Sequence, residues 1–273
     1  MKRGSILVLS IWILVFFSIL SAGIYRIVSS QIQWIQRVEE RTIAHYLAKS
    51  ALTHAQWIRS QDQTSYDTLH ELKQKQEKEM GHGKFIYTMS DEESKINVNL
   101  VEKAVLERIP GLGSSLAEAI INSTLRPFQL KEELLRIEGM TPQTFEQVKD
   151  FITVYSDGTV NINTAGHEIL MALGFDESLT SLVGNFRKGP DLEEGTEDDG
   201  VFETTAEIVP KLNSYGGLSL SQSAFLNQII AEERIGVSSK DMTLQISTQI
   251  LDKAIMDYTV IMDKQRVRQW REQ

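Results

Sequence analysis

The sequence predicts an α+β protein: a long N-terminal helix packed on an antiparallel sheet, with a large inserted all-α domain containing duplicated helix-hairpin-helix-like units. Three observations predict it. An apolar N-terminal run passes into an amphipathic helical pattern, with no Gly or Pro between Ile24 and Ser60. Alternating, β-branched and aromatic segments lie near residue 85 and at the C-terminal end, flanking a helical middle. Within that middle the chain repeats itself.

The long helix begins with MKRG, then SILVLSIWILVFFSILSAGIY, with no charged residue between Arg3 and Arg26. About 20 apolar residues in a helix match a bilayer core. Lys2, Arg3 and the α-amine are the only charges on the short side, so that end is expected in the cytoplasm and the bulk outside it. Beyond the apolar run, Val28, Ile32, Ile35, Ile43, Leu47, Ala51, Ala55 and Ile58 recur at mostly three- or four-residue steps. One helix from about Ser5 to about Arg59 is expected, roughly 80 Å long. An anchor followed by a separate helix is the alternative.

Three fates of the apolar run compete. It is a cleaved signal peptide, with Ser21-Ala22-Gly23 as a loose site; a plain anchor; or a retained segment behind a processed leader. The third rests on Gly4. A short basic leader ending in Gly before an unbroken apolar helix resembles the type III signal of pilins and pseudopilins. That resemblance implies cleavage by a prepilin peptidase between Gly4 and Ser5, with methylation of the new N-terminus. Most such proteins carry Glu as the fifth residue after the cut; here that position is Leu9.

The strand pattern covers FIYTMS (85–90), TLQISTQI (243–250), IMDYTVIMD (255–263) and Arg266–Trp270, the last two forming a hairpin around Lys264-Gln265. Strand order is not determined by pattern. Asp91–Ser94 reads as an acidic turn.

In the middle, INVN (96–99) aligns with VNIN (160–163), and EKAVLERI (102–109) with GHEILMAL (166–173), without a gap. FQLKEELLRI (128–137) resembles FETTAEIVPKL (202–212). The Asn residues read as caps for a helix over 100–108. IPGLGSSLAEAII (109–121) has the form of a helix-hairpin-helix turn, with Gly111 and Gly113 permitting the tight bend. Such turns bind DNA phosphates through backbone N–H groups when Lys or Arg flank them. Here the flanks hold Glu102, Lys103, Glu107, Arg108 and Glu118, and the chain carries a net charge of −9. A structural hairpin is expected, and nucleic acid is not an expected partner.

The blocks DEESKINVN (91–99), IEGMTPQTFEQVKDFITVYSDGTVNINTA (137–165) and VRQW (267–270) resemble general secretion pathway K proteins, the minor pseudopilins of type II secretion. The likeness spans essentially the whole chain. It departs at the acidic turn, where members often have Gly after the Ser and this chain has Lys95. K-type pseudopilins usually lack the fifth-position Glu, as here. The resemblance implies a pilin-like body with the helical domain between its strands. It implies a leader over 1–4, a transmembrane and periplasmic helix over 5–60, and the first part of the sheet over 61–95. The helical insert then covers 96–235 (copies about 96–156 and 157–235), and closing strands cover 236–273. It implies a non-enzymatic tip subunit in the bacterial inner membrane, N-terminus cytoplasmic and bulk periplasmic. Its partners are the I- and J-type minor pseudopilins and the major pseudopilin. Gly4 and Ser5 are then the processing residues. Leu9, Ser18, Ser21, Ala22, Gly23, Ile32 and Ile35 belong to the assembly helix, the small ones allowing close packing in lipid. The rival is a membrane-anchored helix-hairpin-helix DNA-binding protein of the competence type.

Little else suggests chemistry. Cysteine is absent. His45, His54, His70, His82 and His167 lack metal-ligand spacing, and no HExxH, GxSxG, Walker or GxGxxG motif occurs. The acidic loop 190–200, PDLEEGTEDDG, is the one candidate for a cation. Hard oxygen ligands suit Ca²⁺, and Asp191, Glu194, Asp198 and Asp199 are the candidate ligands. A solvated acidic loop is the alternative.

Overall fold

The computed structural model describes residues 3–251, 253–263 and 266–273. Helix α1 (Arg3–Gln61) is unbroken over 59 residues, about 90 Å long. The continuous helix of the sequence reading is therefore observed, two residues longer at each end. Its last part packs on a sheet through Ala44, Leu47, Ala48, Ala51 and Ala55, all at most 5% exposed. Those positions recur every three or four residues, so they share one face. Four of the five are Ala, which lets the helix backbone approach the strands closely. After α1, α2 (Leu69–Lys73) opens on a capping box built by Thr68 and Glu71.

The sheet has five strands: β1 (Gln76–Met80), β2 (Gly83–Asp91), β7 (Met242–Ile250), β8 (Lys253–Met262) and β9 (Val267–Glu272). Their order is β1-β2-β7-β8-β9, every neighbour antiparallel. Phe85, Tyr87, Met89, Leu244, Ile246, Tyr258 and Val260 face α1 and form one buried core with its alanines. The expected strand segments are all realised, each shifted or lengthened by one to three residues. β1 was not expected. The hairpin turn expected at Lys264-Gln265 lies outside the described residues.

The helical insert fills the gap between β2 and β7. Asp91 sits opposite Met242, so the chain leaves and rejoins the sheet at one paired position. The insert has its own apolar core, from Ile96 to Val237. Two short parallel pairs brace it: β3 (Ile96–Asn97) with β4 (Ile152–Thr153), and β5 (Val160–Asn161) with β6 (Ile235–Gly236). α3 (Lys103–Leu106) and α4 (Gly113–Ile121) form the first hairpin, with α5 (Pro142–Val148) behind it. α6 (His167–Leu173) and α7 (Glu177–Arg187) form the second, followed by α8 (Ile208–Gly216) and α9 (Leu220–Ala231).

The aligned sequences make the same bonds. Asn97 and Asn161 each take the N–H two residues on. Asn99 then clamps both backbone groups of Phe128, and Asn163 both of Phe202. This corrects the expectation of helix caps: each Asn folds its own turn or holds a distant loop segment. The helix expected over 100–108 is only α3. Leu100 and Val101 donate to the Asn97 carbonyl, and Glu102, extended at φ −78 ψ 154, delays the helix start.

Candidate functional site

Three regions carry the functional expectations, and a fourth emerges from the packing. The first is the N-terminal part of α1. Gly4 and Ser5 lie within the helix backbone. From Leu7 onward the helix is long and apolar enough to cross a membrane. Leu9, Ser18, Ser21, Ala22 and Gly23 are exposed. Ser18, Ser21 and Ala22 share a face, being three and four residues apart, and Ser18 returns its hydroxyl to the Leu14 carbonyl. Above the apolar run the helix stays bare. Ile27, Val28, Ile32, Trp34, Ile35 and Val38 are 44–65% exposed. Among the described residues, nothing covers them before Ala44.

The second region is the first hairpin. Gly111 and Gly113 take left-handed backbone angles (φ 89° and 64°) to make the bend. An anion would sit at the start of α4, but a carboxylate already does. Glu107 accepts the Ser114 hydroxyl at 2.7 Å. Lys103, the nearest cation, is held at 3.4 Å by Glu107 and 2.9 Å by Glu118. A phosphate entering there meets negative charge.

The third is the acidic loop. Its neck is closed by two glycines: a side chain at Gly189 or Gly200 would strike backbone oxygens of Asp198 or Phe186 at 2.2 and 2.1 Å. The candidate ligands are already engaged. Asp199 accepts the N–H groups of Gly195 and Thr196 at 2.8 and 3.3 Å. Asp198 accepts the Asp191 N–H and the Thr196 hydroxyl, and that hydroxyl holds its carboxyl below the usual range. Asp191 accepts the Glu193 N–H. Glu194 lies 3.5 Å from the buried Arg187, whose guanidinium also donates to the Ala165 carbonyl. As folded, these carboxylates are turned to donors within the loop and to Arg187. Among the described residues no three His, Asp or Glu side chains converge closely enough to hold a metal.

The fourth region was read from sequence only as a turn. Asp91, Glu92 and Glu93 are all buried, at 3%, 1% and 2% exposure, between the two cores. Glu92 receives Lys95 at 2.5 Å and the hydroxyls of Thr153 and Thr243. Burial alone would push its carboxyl up, yet Lys95 and these donors outweigh it and hold it down. Nearby, Arg59 at the end of α1 pairs with Asp67, and both grip Ser239 on the returning chain. Arg271 of β9 makes a forked pair with Glu132, and the Gln269 amide donates to the Tyr155 hydroxyl. The insert is thus bonded to both the helix and the sheet. No motif signalled this layer. Its only trace was the tandem of acids followed by an Asn-rich run.

Residues 91–153 match the helix-hairpin-helix motif. No curated protein matches the chain. Among solved structures it is similar to a chain of the GspK-GspI-GspJ complex from the enterotoxigenic Escherichia coli Type 2 Secretion System. The identity is 14%, covering 89% of this chain and 98% of that one, with a TM-score of 0.56. At that identity the likeness is one of fold: a long N-terminal helix on an antiparallel sheet, carrying a helical insertion.

Proposed function

We propose that this chain is a minor pseudopilin that assembles through α1 with the I- and J-type and major pseudopilins and caps a type II secretion pseudopilus. The observation that carries the reading is the bare middle of α1. A single helix runs from an apolar N-terminus, through Ile27–Val38 with its apolar side chains exposed, into the sheet. Full burial of such a side chain is worth about 1.5–3 kcal/mol, and each of these, 44–65% exposed, forgoes about half of it. Apolar residues on a protruding helix are what helical neighbours in a filament would cover. The fold likeness agrees. Leu9, lacking a carboxylate, has nothing with which to hold the N-terminal amine of a subunit above, which suits a topmost position. The insert, bonded rigidly over the end of α1, then occupies the space a further subunit would need.

The test is the mature N-terminus. Expressed with a prepilin peptidase, the chain is expected to begin at Ser5 by mass spectrometry, methylated there. Gly4→Val is expected to leave it uncut and to abolish co-purification with the I- and J-type partners. A mature chain beginning after Ala22 would sink the reading, because the assembly helix would be gone.

The DNA-binding rival rests on the hairpin motif, and Glu107 at the mouth of α4 counts against it. Calcium at the acidic loop is a second proposal. Binding there requires Asp198 and Asp199 to exchange their present N–H and hydroxyl donors for the ion. A Ca²⁺-dependent rise in melting temperature that Asp198→Asn with Asp199→Asn removes would support it. No rise in the parent protein would discard it.

A further inference from the structure

We propose that Asp91 and Glu93 share a single proton, and that this proton latches the helical insert to the sheet. The geometry demands a donor. Asp91 and Glu93 are 3% and 2% exposed, and the Glu93 N–H on Asp91 Oδ1 at 2.7 Å closes them into one turn. Their carboxyl groups face each other there, and ionised carboxylates are acceptors only. One of them must carry hydrogen.

The partners decide which. Asp91 accepts from Asn161 Nδ2 at 3.1 Å, Ser239 Oγ at 2.5 Å, the Thr164 hydroxyl, and the Glu93 N–H at 2.7 Å. Four donors stabilise its charge. The Glu93 side chain accepts from the Asp241 N–H at 3.2 Å and from a neighbouring backbone amide at Lys240. The proton therefore belongs to Glu93. Burial and the facing Asp91 charge push that carboxyl up to about 9.

Among the described residues, the cations around the pair are already engaged. Lys131, near Glu92, donates to the Lys149 carbonyl at 3.0 Å, and four others are each held by another carboxylate. Arg59 at the end of α1 is on Asp67. Lys95 in the turn is on Glu92. Lys240 before β7 is on Asp157. Arg268 of β9 is on Asp241 and Asp263.

The pair sits where the insert is fastened. Asp91 ends β2 and gathers Asn161 and Thr164 from the middle of the insert and Ser239 from its return. The Glu93 carbonyl accepts the Asn161 N–H at 2.9 Å, and its carboxyl holds the amide at the start of β7. Losing the proton leaves two buried negative charges in contact, and hydration of the joint relieves them. In the open joint Glu93 regains an ordinary carboxyl pKa. Opening therefore becomes about tenfold more favourable per pH unit between about pH 5 and about pH 9, and levels off above.

The experiment is amide hydrogen exchange of the full chain in detergent micelles, following Glu93, Asn161 and Asp241. Rates are corrected for the intrinsic base-catalysed pH dependence. In the parent protein the corrected rates are expected to climb about tenfold per pH unit and reach a plateau near about pH 9. Glu93→Gln, whose amide donates to Asp91 without titrating, is expected to be flat. Corrected rates in the parent as flat as those of the variant would overturn the proposal. Should the variant not fold, carboxyl ¹³C NMR of Glu-labelled parent protein decides. One buried Glu that stays protonated through neutrality supports the latch, and all Glu ionised at neutral pH refutes it. Neither outcome depends on the chain's role in a filament.

Discussion

Replacing Asp67 by Ala should loosen the joint between α1 and the insert more than any surface change nearby. Arg59 and Asp67 are 6% and 3% exposed. The guanidinium pairs with Asp67, and its other nitrogen donates to the Ser239 carbonyl at 3.1 Å. The second Asp67 oxygen takes the Ser239 N–H at 2.7 Å. Removing one member of a buried pair costs about 3–5 kcal/mol, mostly by stranding the other charge. The Asp62 carboxylate, already 3.4 Å from Arg59, recovers about 1 kcal/mol of that. A net loss of about 2–4 kcal/mol follows, or about 10 °C in melting temperature for a chain of this size. Thermal unfolding of the detergent-solubilised chain, followed by near-UV circular dichroism, measures it. Asp67→Asn keeps an acceptor for the Ser239 N–H and should lose less. Arg59→Met with Asp67→Leu removes both charges and should recover most of the loss. A melting temperature for Asp67→Ala within about 1 °C of the parent, well inside the shift expected from a broken buried pair, would refute this account of the joint.

Two further outcomes follow from the polar layer and the repeated clamps. Asn163→Ala strands the N–H and carbonyl of Phe202 in a buried site and should cost about 2–4 kcal/mol. Asn99→Ala at Phe128, nearer to water, should cost about half as much; equal small losses in urea titrations would show the clamps to be idle. Glu92 has a lowered pKa, so its stabilisation is present above its ordinary value of 4.5 and is lost as pH falls below it. Lys95→Met removes the main counter-charge, raises that pKa, and should destabilise by about 3 kcal/mol at neutral pH. The gap from the parent should narrow as pH falls toward 4.5, because the variant's Glu92, its pKa raised, gains its proton before the parent's does, and melts at neutral pH and at that pH check it.

Where the architecture could be read in advance, a periodicity carried it. α1 announced itself by three- and four-residue apolar steps, and β2, β7 and β8 by alternation. β1 had neither signal. QEKEM is an edge strand, exposed along nearly its whole length, and charged residues there are what keep an edge from pairing with other chains. α3 was overestimated because Asn97 competes for the backbone that would have continued as helix. The joint was missed for a different reason. Three acids in a row read as a solvated turn unless their partners are known. Those partners lie as far away as Asn161, Ser239 and Thr243, beyond the reach of any local pattern. The acidic loop shows the same limit. Its charges were plain, but the buried Arg187 that claims Glu194 becomes a neighbour only in the folded chain.

The pairing of Asp91 with Met242 has a consequence for how such a protein can change. About 150 residues hang from the last rung of one ladder. To the strands, this is merely a very long hairpin connection. Closing it costs little more than closing a short one, since loop entropy grows only with the logarithm of length. The ladder is therefore indifferent to the bulk of its cargo. A short turn grafted across that rung should leave β2 and β7 in register, and any load applied to the cargo is delivered to the middle of the sheet instead of to a fraying edge.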